Sequence, residues 1–157
     1  MIDAKRRILL KGSLAAGAVG VAVGAGLLTP RMVLAEWPEG AFGATSVDDA
    51  LNALLGSNTH EASDSIKIKA PDIAENGAVV PVTVESDAEG ISSISIIAAG
   101  NQTPLIASFN LGEDALGFVS TRIKMAKTAE VVAVVKAGDK VMSSAKEVKV
   151  TIGGCGG

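Results

Sequence analysis

Seven short apolar runs at strand spacing, most of them set off by turn residues, limit what this chain can fold into. Ile66 and Ile68 alternate with lysines. Val80, Val82 and Val84 share one side of the next run, and Ile91, Ile94, Ile96 and Ile97 form a third. Residues 105–109 make a fourth, and Val119, Thr121, Ile123 and Met125 line one side of a fifth over residues 118–125. Val131, Val132, Val134 and Val135 form a nearly continuous sixth over 130–137, and Val148, Val150 and Ile152 alternate with polar neighbours in a seventh over 141–152. A period of two sends alternate side chains to opposite faces of a strand. Ala137-Gly138-Asp139-Lys140 supplies a hairpin turn between the last two runs. Pro81, which cannot donate to a sheet ladder, marks an edge or an irregularity. Strand–helix–strand alternation is missing, which argues against a parallel sheet. The expected fold is therefore all-β: an immunoglobulin-like antiparallel β-sandwich of about seven strands over residues 65–152. Hydrophobic residues make up 48% of the chain and aromatic ones 3%, so its core is aliphatic. The unbroken valine run calls for cover on both faces, by the second sheet on one side and a partner subunit on the other. That run and its neighbours are the expected partner face.

Ahead of the strands, residues 36–64 read as a polar lead followed by one short helix. Ser46 is placed to cap it with Asp49 completing a weak capping box, and Gly56 is placed to end it. Val47, Ala50, Leu51, Leu54 and Leu55 fall on one helical face. A helix packed on its own domain is preferred here over one packed on a partner.

Residues 1–35 resemble an export signal. Lys5, Arg6, Arg7 and Lys11 give a basic start, residues 12–28 are uncharged, and Val33-Leu34-Ala35 offers a small-residue cleavage site before Glu36. Arg6-Arg7-Ile8-Leu9-Leu10-Lys11 resembles the twin-arginine motif, with Lys5 where a hydroxyl residue is usual. The expected location is the bacterial periplasm, with cleavage after Ala35 and folding before export. This segment carries net +4, so a chain of net −3 leaves −7 on residues 36–157. So acidic a domain argues against nucleic acid and anionic membranes as partners.

The chemical inventory is short. His60 is the one histidine and sits in a polar loop, where it reads as a solvated residue. Asp48 and Asp49 suit the start of a helix, and Glu113-Asp114 reads as a solvated turn. One histidine and one cysteine are too few for a metal site. No phosphate-binding or dinucleotide motif implies a cofactor.

What remains is Gly153-Gly154-Cys155-Gly156-Gly157, with the only cysteine third from the end. An odd cysteine in an exported chain suggests a reactive thiol or an intermolecular bond. Its neighbours are glycines and a terminal carboxylate, which disfavour a thiolate, and the nearest cation in sequence is Lys149. The tail therefore reads as a thin, flexible arm, residues 153–157, whose thiol is switched on by other proteins' active sites. Gly153, Gly154, Gly156 and Gly157 give it slimness, and the extended reach from Ile152 to Cys155 is about 10 Å. A carrier is favoured over an enzyme. A thiol redox or assembly module working through an intermolecular disulfide is the alternative.

The terminal GGCGG, the segment Ala70-Pro71-Asp72-Ile73-Ala74-Glu75-Asn76-Gly77-Ala78-Val79-Val80-Pro81-Val82 and the segment Arg122-Ile123-Lys124-Met125-Ala126-Lys127 together resemble the SoxY family of bacterial thiosulfate oxidation. The resemblance implies a non-catalytic carrier without a cofactor, holding sulfur intermediates covalently on Cys155. It implies a heterodimer with a SoxZ-like subunit. It also implies a haem enzyme that couples thiosulfate oxidatively to the thiol, a hydrolase that releases sulfate, and a sulfane dehydrogenase for the remaining sulfur.

Overall fold

The computed structural model describes residues 38–152; Cys155 with its glycines and the export segment lie outside them. In chain order the elements are α1 (Glu39–Gly43), α2 (Val47–Leu55), β1 (Glu61–Ala62), β2 (Ile66–Lys69), β3 (Ile73–Ala74), β4 (Val80–Ser86), β5 (Ile91–Ala98), β6 (Leu105–Asn110), β7 (Phe118–Ile123), β8 (Ala129–Ala137) and β9 (Lys140–Val150). One sheet runs β1-β9-β8-β5-β6, with β3 also on β9; the other runs β2-β4-β7. The expected β-sandwich is thus present, and its long pairings are antiparallel.

Alternation builds the core. Val80, Val82 and Val84 from one sheet meet Ile94, Ile96, Val131, Ala133, Val135 and Val148 from the other, all fully buried or nearly so. Fully burying a Val or Ile side chain is worth about 1.5–3 kcal/mol relative to leaving it exposed, so this layer dominates stability. Gly138, at φ 57°, forms the expected hairpin turn. Pro81 lies in the central strand of its sheet. β2, however, pairs only with residues 83–86, so at Pro81 strand β4 has a neighbour on one side alone.

A second layer covers the outer face of the larger sheet. Ala41, Ala50 and Leu51 from the helices pack with Ile97, Leu105 and Val134, and Val132 lies against them. The expected partner cover for the valine run is corrected here. Val131, Ala133 and Val135 face the other sheet, Val132 and Val134 face the chain's own helices, and nothing of the run is left for a partner face. The helix caps as its sequence requires: Asp49 N–H donates to Ser46 Oγ at 3.1 Å, and Ser46 Oγ–H donates to Asp49 Oδ2 at 2.7 Å. Gly56, at φ 78°, closes the other end with its N–H on the Asn52 carbonyl. Pro38 opens α1 inside what reads as a polar lead.

Strands β1 and β3 were not expected, and both run parallel to β9. Two residues cannot show a period, and each is held by a distant neighbour rather than by local preference. The last run also stops at Val150, short of Ile152, because β9 there exchanges β8 for the loop after β3.

Candidate functional site: the root of the C-terminal tail

The last described residues are held one by one. Lys149 N–H donates to the Asp72 carbonyl at 3.0 Å, Val150 N–H to Thr128 Oγ1 at 2.9 Å, and Thr151 N–H to the Ala74 carbonyl at 3.1 Å. The Thr151 hydroxyl donates to the Glu75 carbonyl at 3.1 Å, and Gly77 N–H donates to the Ile152 carbonyl at 2.8 Å. Gly77 is itself buried, and its carbonyl accepts from Met125 N–H at 2.7 Å. The backbone is therefore tied through Ile152, immediately before Gly153. At a net 0.5–1.5 kcal/mol for a typical intramolecular bond, five such bonds over four residues hold this end firmly.

Local chemistry shapes the holding loop. Asn76 Oδ1 accepts from Ala78 N–H at 2.8 Å, a side-chain turn that swings Gly77 toward the chain end. Ala74, in β3, buries its methyl in the core while Ile73 beside it stays exposed. Asn101 braces the second support: its Nδ2 donates to the Lys124 carbonyl and its Oδ1 accepts from Ala126 N–H, both at 2.8 Å. The two internal segments singled out in the sequence, 70–82 and 122–127, thus converge on the root of the tail.

The other candidates lie elsewhere. His60 is exposed, with Nδ1 2.7 Å from Ser143 Oγ, beside the start of β9 and far along that strand from Ile152. Asp49 caps the helix and Asp48 is exposed. Glu113 and Asp114 are exposed in the loop between β6 and β7. No group of three or more His, Cys, Asp or Glu able to hold a metal occurs among the described residues. Lys149, the nearest cation in sequence, does stand beside the root. Sequence spacing missed Lys124 and Lys127, which the β7–β8 turn brings to the same end; the only sign of them was their place in the 122–127 segment.

Comparison with known proteins gives a consistent picture. The family profile of the sulfur oxidation protein SoxY matches residues 51–155. The structure of the sulfur carrier protein SoxY from Chlorobium limicola f thiosulfatophilum is 48% identical, covers 68% of this chain and 97% of its own, and superposes with a TM-score of 0.63. A superoxide reductase (neelaredoxin) from Ignicoccus hospitalis, at 16% identity over 58% of this chain and 94% of its own with a TM-score of 0.52, shares the fold alone. No curated protein sequence matches the chain.

Proposed function

The chain belongs to the SoxY sulfur oxidation family, and we propose on that footing that it is a non-catalytic periplasmic carrier holding sulfur intermediates covalently on the Cys155 thiol. A role as a sulfur carrier within the sulfur-oxidising system follows from the family. The finer assignment to Cys155 is supported by one observation: the backbone is tied through Ile152, directly before a five-residue tail whose only reactive side chain is a thiol.

In this reading the Cys155 thiol loses a proton and bonds to the outer sulfur of thiosulfate, giving a cysteine S-thiosulfonate, while a haem partner enzyme accepts the electron pair. A hydrolase then adds water across the bond to the terminal sulfone, releasing sulfate and leaving a persulfide. A sulfane dehydrogenase takes the remaining sulfur. The four glycines let the thiol enter each active site in turn, since a residue without Cβ passes where others cannot. A SoxZ-like subunit is the heterodimer partner. The twin-arginine segment, cleaved after Ala35, exports the folded pair.

Intact mass of the full chain incubated with thiosulfate and the haem partner tests this. Added mass located on Cys155 and missing in Cys155→Ser is the expected result. Mass on another residue, or activity confined to a cysteine-linked dimer on non-reducing gels, would overturn it in favour of the disulfide module.

A further inference from the structure

The two lateral sides of the sandwich are finished differently. On one side β9 carries β1 and β3 along its outer edge. On the other side the larger sheet ends at β6 and the smaller at β7, and neither strand has a further neighbour among the described residues. A cleft of about 660 Å³ opens between these two edges, where β6 begins and β7 closes. Its floor is apolar: Ile106 and Ile123 reach it from the layer between the sheets. Its rim is cationic. Arg122 and Lys124 both line it, are both exposed, and flank buried Ile123, so they point to the same side of the chain about 7 Å apart along it.

No Asp or Glu lines the cleft. The exposed acids Glu130 and Glu147 pair across β8 and β9 and alternate with core-facing Val131 and Val148, so they lie on the larger sheet's other face. Glu75 follows β3, on the β9 side, and Glu85 is held by Lys69 at 2.6 Å. The walls are braced in advance. Asn101 Nδ2 donates to the Lys124 carbonyl and its Oδ1 accepts from Ala126 N–H, both at 2.8 Å, and all three residues line the cleft. The β5–β6 turn is thereby stapled to the β7–β8 turn. Gln102 and Thr103 add an exposed amide and hydroxyl to the rim.

We propose that this cleft binds a small amphipathic carboxylate, with its alkyl chain on Ile106 and Ile123 and its carboxylate between Arg122 and Lys124. A guanidinium presents paired N–H donors to the two carboxylate oxygens. The ammonium adds charge, and the chain removes apolar surface from water. A braced cleft of this size, with an apolar floor and a few convergent polar groups, is the usual form of a small-molecule site. The site uses neither the tail nor its thiol, so it stands or falls apart from the carrier reading.

The test is a titration of the isotope-labelled full chain followed by amide NMR shifts. Octanoate is the probe, octanol is the chain without the charge, and acetate is the charge without the chain. Octanoate is expected to give saturating shifts at Leu105, Ile106, Ile123 and Lys124, with a Kd on the order of 1 mM. Octanol and acetate should each bind more weakly by about threefold or more. The exposed double change Arg122→Gln, Lys124→Gln should weaken octanoate by about threefold or more, to the level of octanol. Lys140→Gln, in the β8–β9 hairpin at the opposite end of the sheet, should leave octanoate binding unchanged. Shifts that do not saturate, that centre on residues outside the cleft, or that octanol reproduces at the same concentrations would overturn the site. So would undiminished octanoate binding in the double variant. Should that variant fail to fold, the comparison of octanoate with octanol on the unmodified chain decides alone.

Discussion

Gly77 and Ile152 stand seventy-five positions apart in the sequence, and the N–H of the first donates to the carbonyl of the second at 2.8 Å. That bond ties the backbone three positions before the glycine-flanked thiol. A carrier thiol needs a fixed root as well as a free tip, because a loose root adds chain freedom that every docking event must remove.

The turn that presents Gly77 depends on Asn76, whose Oδ1 holds Ala78 N–H. Asn76→Ala should lower stability by about 1 kcal/mol, read as a shift of the urea midpoint. It should also speed hydrogen exchange at the Gly77 amide more than at the core amides of Val82 and Ile96. Equal exchange at Gly77 in both proteins would show that the side-chain turn does not hold the root.

Leu51 is the largest fully buried side chain that the helices place in the layer over Ile97, Leu105 and Val134, and it is 1% exposed. Leu51→Ala should cost about 2–5 kcal/mol in chemical denaturation, with loss of helical signal ahead of the sheet. A loss below about 1 kcal/mol would mean that the layer collapses around the gap or adds little to the sandwich.

Widening the arm separates its slimness from its length. Replacing Gly153, Gly154, Gly156 and Gly157 with valine should slow thiosulfate loading of Cys155 by the haem partner while leaving the thermal midpoint unchanged, since all four lie beyond the last strand, which ends at Val150. Unchanged loading would show that a narrow arm is not required.

Much of the fold was legible because its signals are local. A period of two marked seven strands, a capping serine and an αL glycine marked α2, and a Gly-Asp turn marked the last hairpin. The tail thiol also stood out from the sequence, as the one reactive group in an empty inventory. The valine run was read correctly as covered on both faces and wrongly as needing a partner for one of them. Periodicity tells which residues are buried; it does not tell what buries them.

The sequence by itself thus determined the sandwich, the capped helix and the isolation of Cys155, each written in neighbouring residues. Only the tertiary structure decided that Gly77 holds Ile152 and that β1 and β3 pair with β9. The reason is physical. Strand and helix preferences act over a few residues, whereas hydrogen bonds closing long loops depend on strand order and direction, which no local pattern encodes.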